Sequence, residues 1–349
     1  MKTFRFVVSV LVLALVMAIP HTGLAADLEP LARPVTVRIA EDTAPSGAGF
    51  YIADSRGYFK EYGINVQFVE FESSASMLPA IAAGHVDVAG GITSVALFNA
   101  IKRGLDIKII ADKGTNLSGR SYFDLVIRKD LEGTVKDYPD LKGLRIAVSA
   151  EQSLDHLTLS KALQKGGLTF ADIRLVVIPN FANMLVALAN GAIDAAVLIE
   201  PLITKGVSEG DIIRWKDATD FAPGAQIAIV LASPQFVNEK RDVAVRFMAA
   251  YLKGIRDYYD AFVKGEGLEE ILPIMTEYSS LKEVDVYRQM HPPGLNPNGY
   301  VIVPGIQSDL DWYRDQGYFE GEIDLDRVID HSLIDDALAV IGVYDTEDE

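Results

Sequence analysis

Early in the chain, short apolar runs rich in β-branched residues alternate with stretches of helical periodicity. The apolar runs predict strands at Val35–Ala40, Asn65–Phe71 and Val86–Ala89. A loop rich in Pro, Ser and Gly precedes a helical stretch that begins at Phe50, and a serine-rich segment precedes the helix Met77–Ala83. The order β-α-β-α-β predicts a parallel sheet with helices on its faces.

The same pattern returns later in the chain at a constant offset. GHVDVAGG at residues 84–91 and GAIDAAVL at residues 191–198 each place an aspartate three residues after a glycine, and 191 − 84 gives an offset of 107. At this offset the further matches, which need no gap, are Val37–Ala40 with Leu144–Ala147, Ser46 with Ser153 and Met77 with Met184. Chance similarity between two α/β units would explain matching elements but not the constant register. We therefore interpret the repeat as two lobes that are built alike.

The repeat predicts an α/β protein of two lobes. We expect the first lobe at 34–121 and the second at 122–225. The extended apolar segments Tyr122–Arg128 and Gln226–Ala232 flank the second lobe and are candidates for two connecting strands. The following chain is mainly helical in pattern, so residues 226–344 are expected to pack back on the first lobe, which makes that lobe discontinuous.

The N-terminus has the composition of a secretory signal. Lys2 and Arg5 precede the apolar run Phe6–Ile19, and small residues lead to Ala26. We expect residues 1–25 to be a cleaved signal peptide, because an uncleaved anchor would need roughly 20 apolar residues. The chain contains no cysteine, so no lipid can be attached at the cleavage site. In a bacterium with two membranes, the exported chain is expected in the periplasm.

Composition and net charge limit the classes of partner that the protein can bind. The chain has 349 residues, 49% of them apolar, which suits a globular protein of two domains. Its net charge is −17, and loss of the two basic residues in 1–25 makes it −19 (−17 − 2). This charge disfavours nucleic acid and anionic membrane surfaces as partners.

Motifs for metal, cofactor or nucleophile chemistry are missing. The GAG segment at 47–49 lacks the third glycine of a dinucleotide fingerprint. Ser153, Asp155 and His156 lie within four residues and cannot converge as a catalytic triad. With no cysteine and no HExxH segment, we expect no metal, no cofactor and no catalytic residue.

Ligands of open parallel sheets bind outside the carboxyl ends of the strands. Asp87 and Asp194 lie at the opposite ends of their strands, and we interpret them as turn residues that bond local backbone N–H groups. The candidate ligand-binding residues are Ser46, Phe50, Glu72, Ser73, Ser74, Ile92 and Thr93 in the first lobe and Ser149, Gln152, Ser153, Asn180, Phe181, Asn183 and Glu200 in the second. Thr93 and Glu200 are related by the offset and are expected to face each other. Each Ser or Asn is alternatively a helix cap without a ligand.

The chemistry of these loops leaves two ligand classes open. Several loops begin helices, whose free N–H groups and dipoles favour a carboxylate, a sulfonate or a similar anion. Glu200 favours instead a ligand with an N–H group or an amine, such as a pyrimidine or another heterocycle. Phe50 and Phe181 are candidates to stack on an aromatic ring, with ordinary helix packing as the alternative.

Six segments together carry a resemblance to a known family. They are GFYIADSRGYFKEYGINV (49–66), LPAIAAGHVDVAG (78–90), YFDLVIRKD (122–130), LKGLRIAVS (141–149), ANGAIDAAV (189–197) with EP at 200–201, and IGVY (341–344). Over about residues 34–344 the chain resembles the periplasmic substrate-binding proteins of ABC importers. The most similar branch is that for aliphatic sulfonates, taurine, nitrate and thiamine-type pyrimidines.

The resemblance implies a two-lobe periplasmic-binding-protein fold of type II, with a hinge of two crossover strands. Such a protein closes on a small molecule without catalysis and docks on a membrane permease; we expect a monomer. The ligand loops of the family correspond to Ser46–Phe50, Glu72–Ser76, Gly91–Ser94, Ser149–Ser153, Asn180–Asn183 and Glu200–Pro201. A related branch of pyrimidine-forming enzymes depends on a cysteine-rich segment, which is missing here. A hydrolase that uses Glu200 or Glu72, and a ligand-sensing receptor subunit, are the alternatives.

Overall fold

The computed structural model describes residues 28–71, 73–117 and 119–346. The predicted signal peptide therefore lies outside the described residues. Within them the chain forms two five-stranded sheets. No helix of the described residues is long and apolar enough to span a bilayer.

The first sheet combines four early strands with one from later in the chain. Its strands are β1 (Val35–Glu41), β2 (Ile64–Glu70), β3 (Val88–Ile92), β4 (Lys108–Thr115) and β10 (Gln226–Ala232), in the order β2-β1-β3-β10-β4. β1 pairs in parallel with β2 and β3, whereas β10 runs antiparallel to β3 and β4.

The second sheet repeats this arrangement. Its strands are β5 (Phe123–Arg128), β6 (Arg145–Val148), β7 (Arg174–Val177), β8 (Ala195–Ile199) and β9 (Ile212–Asp217), in the order β7-β6-β8-β5-β9. β6 is parallel to β7 and β8, and β5 is antiparallel to β8 and β9. β5 thus occupies the position that β10 has in the first sheet.

The repeat holds at the level of strand register. Ile39 pairs with Val88 in the first sheet, and Ile146 pairs with Ala195 in the second. Both partners are displaced by 107 residues (146 − 39 and 195 − 88). The predicted pair of similar α/β units is confirmed, including the constant offset.

Helices cover the faces of both sheets. Those before β10 are α1 (Ala48–Ser55), α2 (Tyr58–Glu61), α3 (Ser74–Ala82), α4 (Val95–Lys102), α5 (Leu154–Lys165), α6 (Phe181–Ala189) and α7 (Leu202–Glu209). Those after β10 are α8 (Pro234–Asn238), α9 (Arg241–Tyr259), α10 (Leu268–Tyr278), α11 (Val284–Gln289), α12 (Val303–Asp315), α13 (Leu325–Val328) and α14 (Ser332–Ile341).

The helix α9 packs against α1 over the first sheet. The two backbones approach closely, because a Cβ atom at Gly254 would lie 2.2 Å from the carbonyl oxygen of Gly49. Only glycine at position 254 allows this approach. α14 packs on α9 in turn, so the apolar faces of these helices are covered by one another.

The helix α12 departs from the expected packing, because it contacts both halves of the molecule. It lies beside α4 and β10 of the first sheet. Its Trp312 also donates its indole N–H to Ser160 Oγ on α5, at 3.0 Å. The lobe boundaries at 121/122 and 225/226 stay a prediction, which the membership of the two sheets supports.

Candidate functional site

A cavity of about 600 Å³ lies where the parallel strands of both sheets end. The loops after β1, β6, β7 and β8 contribute residues 42–45, Ser149, 179–182 and 200–202. The other lining residues are Ile92, Tyr122, Phe123, Ser153, Leu154, Asp155, Ile199, Ile227, Ser280, Leu281 and Tyr287. The cavity is therefore at the edge of the sheets where parallel α/β folds bind ligands.

Part of the predicted set lines this cavity. The members that do so are Ile92, Ser149, Ser153, Asn180, Phe181 and Glu200. Five of these six belong to the second half of the repeat. The ligand-facing role of each one remains a prediction, because no ligand is bound.

Three helices of the second half begin at the cavity. At the start of α5, Ser153 Oγ accepts the His156 backbone N–H at 3.3 Å, and at the start of α6, Asn180 Oδ1 accepts the Asn183 N–H at 3.1 Å. α7 follows Pro201, and its Thr204 N–H donates to Glu200 Oε2 at 3.0 Å. The positive ends of three helix dipoles consequently face the cavity. Because Asn180 uses its oxygen for the cap, its NH2 group is the part that can donate to a ligand.

Asp155 organises the two serines of the loop after β6. Its carboxylate is buried and accepts the Ser149 backbone N–H, the Ser149 hydroxyl at 2.8 Å and the Ser153 hydroxyl. Burial raises the pKa of Asp155, and the hydrogen bonds from Ser153 and Ser149 oppose that rise. Since each hydroxyl has one proton, Ser149 offers only lone pairs to the cavity.

Glu200 is buried and held by protein groups. Thr204 donates its backbone N–H to Oε2 at 3.0 Å and its hydroxyl to Oε1 at 2.9 Å, and the His291 N–H reaches Oε1 at 3.1 Å. The Arg214 guanidinium also contacts Oε1. Burial raises the pKa of Glu200 to about 7, and the hydrogen bonds from Thr204 and His291 oppose this. The contact with Arg214 acts in the same direction as those bonds. The carboxylate is therefore already paired within the protein.

A buried ion pair from the first half of the chain supports one wall of the cavity. Lys113 Nζ lies 2.9 Å from Glu41 Oε1 and donates to Ser46 Oγ at 2.9 Å. The Tyr122 hydroxyl donates to the same Ser46 oxygen at 3.3 Å, while its ring lines the cavity. Burial raises the pKa of Glu41 to about 8 against the opposing charge of Lys113. Ser46 thus fixes the position of the lining residue Tyr122 through its hydroxyl group.

Two expectations for the first lobe need correction. Phe50 does not reach the cavity: it is fully buried, with its ring centroid 4.7 Å from that of Tyr251 on α9. Thr93 does not face Glu200, because its hydroxyl donates to Asp309 Oδ2 at 2.9 Å. In both cases a C-terminal helix, for which the repeat has no counterpart, covers the residue.

Other predicted residues have structural roles beside the cavity. Ser73 caps α3 through the Ser76 backbone N–H, and Ser74 Oγ accepts the Ile92 N–H at 3.1 Å. Gln152 has a left-handed backbone with φ of 67° and donates its N–H to His156 Nδ1. Asn183 is exposed and outside the cavity lining. Glu72 lies outside the described residues.

The structure supports a structural role for the repeated aspartates, at the strand ends away from the cavity. Asp87 Oδ2 accepts the backbone N–H of Arg38 at 3.0 Å, and Asp194 Oδ2 accepts that of Arg145 at 2.9 Å. Each carboxylate also binds the guanidinium of the same arginine. The bonds join neighbouring strands and are not local, which differs from the turn role expected. Both residues act in the sheets, away from the cavity.

Sequence reasoning missed several lining residues. Tyr122 and Phe123 begin the predicted connecting strand, so the start of that segment was the available signal. Ser280, Leu281 and Tyr287 come from the C-terminal segment around α11. Because this segment has no partner in the repeat, the offset of 107 does not point to it.

The family comparison decides the classification. The family described as NMT1/THI5 like matches residues 44–261, which is more than half of the chain. The chain belongs to this family. The predicted resemblance is thereby confirmed, and the matched range includes most of the first half of the repeat and all of the second.

Individual relatives agree with this assignment. The taurine-binding periplasmic protein of Escherichia coli (strain K12) is 28% identical over 281 residues, which covers 79% of this chain and 81% of the relative. The structure of the periplasmic aliphatic sulphonate binding protein from Escherichia coli is similar with a TM-score of 0.69 and 21% identity, covering 85% of this chain and 92% of that one. The structure of the periplasmic nitrate-binding protein from Synechocystis PCC 6803 is similar with a TM-score of 0.71 and 15% identity, covering 89% of this chain and 90% of that one. The predicted two-lobe α/β fold is confirmed, and these relatives are named as binding proteins, as expected for a chain without catalysis.

Proposed function

We propose that the protein captures a small organic anion in the cavity between its lobes and delivers it to the membrane permease of an ABC importer. The observation that carries the proposal is the start of three helices, α5, α6 and α7, at one cavity. Backbone N–H groups and helix dipoles stabilise anions at such positions. The relatives named for taurine, aliphatic sulphonate and nitrate all bind molecules with an anionic group, which supports the assignment.

The proposal extends to assembly and location. The lobes are 34–121 with 226–344, and 122–225, joined by β5 and β10. The protein acts as a monomer in the periplasm after removal of residues 1–25 and without a lipid anchor. The periplasmic relatives and the absence of cysteine support this location.

A second ligand class is favoured by one observation. The Ser149 hydroxyl donates to Asp155 at 2.8 Å and so faces the cavity as an acceptor. A neutral heterocycle with N–H groups, such as a pyrimidine, would satisfy that acceptor. A hydrolase is less well supported, because Asp155 and Glu200 are both bonded to protein donors and neither is free to activate a water.

Thermal unfolding in the presence of candidate ligands tests the proposal. We expect ethanesulfonate, benzenesulfonate or benzoate to raise Tm with concentration, because a ligand bound only by the folded state adds about 2.7 kcal/mol at 100 times its Kd. Chromatography of the released compound should return it unchanged. A rise with cytosine alone would favour the heterocycle, and turnover of any probe would favour an enzyme.

A further inference from the structure

The cavity presents aromatic rings on one wall. Phe123 lies between Tyr122 and Phe181, with ring centroids 5.1 Å from the first and 6.3 Å from the second. All three residues line the cavity, but Phe123 is buried whereas Tyr122 and Phe181 are half-buried. Two ring surfaces are therefore left open to a ligand, each braced by the ring between them.

These rings are held in place before any ligand arrives. The Tyr122 hydroxyl is bonded to Ser46, and its ring packs on Gly114, where a Cβ atom would lie 2.7 Å from Tyr122 Cδ2. Phe181 is the first residue of α6, directly after the cap Asn180. A rigid aromatic surface of this kind costs little conformational entropy when it binds.

The remaining lining favours a ligand whose body is apolar. Apolar side chains come from both lobes and from the C-terminal segment; they include Ile92, Leu154, Ile199, Leu202, Ile227 and Leu281. No Lys or Arg is among the described residues that line the cavity. A volume of about 600 Å³ lies within the range of ~300–1,000 Å³ typical of sites that bury a drug-sized molecule.

Two of the groups that can donate to a negative charge lie beside the rings. The Ser149 hydroxyl proton is directed at Asp155, so that hydroxyl cannot donate to an anion. The NH2 group of Asn180 and the backbone start of α6 can donate to it, and Phe181 is the next residue after Asn180. A ligand that contacts both these donors and the Phe181 ring carries its charged group on, or next to, its own ring.

We propose that the ligand is an aromatic organic anion, an arylsulfonate or arylcarboxylate, whose ring contacts Phe181 and Tyr122. This inference rests on the proposed function and names its substrate class. It separates this chain from a site for a short alkanesulfonate, which would leave both ring surfaces uncovered.

Titration calorimetry with matched probes tests the inference. Benzenesulfonate and cyclohexanesulfonate share charge and ring size and differ in aromaticity. We expect benzenesulfonate to bind roughly tenfold more tightly, because aromatic pairs add to affinity beyond the area that they bury and two rings are available. Phe181→Leu and Tyr122→Leu should each lower that preference to roughly threefold, while cyclohexanesulfonate binding changes less than about twofold.

Phe262→Leu is the matched control, because Phe262 is also half-buried but lies outside the cavity lining. It should leave both affinities unchanged. Circular dichroism of every variant verifies that it is folded. Equal or tighter binding of cyclohexanesulfonate or taurine, or equal losses for both probes in Phe181→Leu, would overturn the inference and leave anion capture standing. Binding of the neutral benzenesulfonamide in place of all anions would instead overturn the proposed function.

Discussion

At the scale of single residues, the repeated aspartates show how one side chain fastens two strands. Asp87 is 3% exposed and binds Arg38 on β1, and Lys240 reaches its other oxygen at 2.7 Å. Burial raises the pKa of Asp87, but the bonds from Lys240 and Arg38 outweigh it and leave the pKa below 3.8. In Asp194 the bond from Arg145 has the same net effect.

Asp87→Asn tests this structural role. We expect a loss of about 1–3 kcal/mol in the free energy of unfolding, because Lys240 and Arg38 lose a charged acceptor. Since the lowered pKa stabilises the folded state above pH ~4 and this contribution is lost as the pH falls further, the difference from wild type should shrink below pH ~4. Urea unfolding at pH 7 and pH 3.5 measures both effects.

Ligand affinity should be unchanged in Asp87→Asn, because the residue lies at the strand ends opposite the cavity. Asp194→Asn is the equivalent variant in the second sheet and should behave alike. A variant that stays stable but loses binding of benzenesulfonate or ethanesulfonate would contradict the structural role of Asp87.

The role of a single residue could be predicted where it depends on neighbours in sequence. It could not be predicted where it depends on contacts with distant helices. The cap at Asn180 could be expected from its position before a helix. The direction of the Ser149 hydroxyl depends on Asp155, six residues away, and loop types do not specify it. Phe50 and Thr93 are covered by α9 and α12, which follow them by about two hundred residues in sequence.

At the scale of elements, α12 joins the two halves behind the cavity. Lys161 on α5 lies 4.0 Å from Asp309 Oδ1 and 3.4 Å from Ser308 Oγ on α12. The other oxygen of Asp309 accepts the Thr93 hydroxyl, next to the lining residue Ile92. Full burial raises the pKa of Asp309 from 3.8 to about 7, against the opposing effects of Lys161 and Thr93.

Asp309→Asn tests the cost of that buried charge. The folded state keeps its proton to a higher pH than the unfolded chain does, so stability falls as the pH rises from about 4 to about 7. The asparagine has no such proton. We expect Tm of Asp309→Asn minus Tm of wild type to be larger at pH 8 than at pH 5, as measured by differential scanning calorimetry.

Asp311→Asn serves as the control on the same helix. Asp311 is exposed; it accepts a hydrogen bond from the Gln307 side chain at 2.8 Å and lies 3.6 Å from Arg314. Because these contacts are on the surface, the effect of the substitution on Tm should be small at both pH values. A difference for Asp309→Asn that is constant between pH 5 and pH 8 would show that its carboxyl does not titrate in this range.

Elements were the most predictable level of the structure. The parallel strands β1–β3 and β6–β8 follow from apolar runs and from the repeat, and the pairing of Ile39 with Val88 recurs as Ile146 with Ala195. The edge strands β4 and β9 were not predicted. The bridging position of α12 could not be predicted, because amphipathic periodicity indicates a helix with one buried face but does not say which partner covers it.

At the scale of the whole molecule, the chain crosses between the two sheets twice, and the strand after each crossing takes the equivalent position in its sheet. β5 follows β4 of the first sheet and inserts between β8 and β9, and β10 follows the second sheet and inserts between β3 and β4. We expect these two crossings to act as a hinge whose bending changes the width of the cavity opening. Lys205 on α7 already reaches Glu283 across the two halves, at 3.2 Å.

The absence of cysteine makes hinge bending directly measurable. Ala75 and Asn183 are exposed, at the ligand-side ends of α3 and α6, one in each predicted lobe. Spin labels on Ala75→Cys and Asn183→Cys should move closer together when benzenesulfonate is added, as pulsed dipolar spectroscopy would record. Labels on Glu132→Cys and Asn183→Cys, both within 122–225, should keep their distance because a lobe that closes rigidly carries both. A shift in the second pair would place the boundary of the moving body elsewhere than residues 122–225, and a saturating ligand that shifts neither pair would mean that capture occurs without lobe closure.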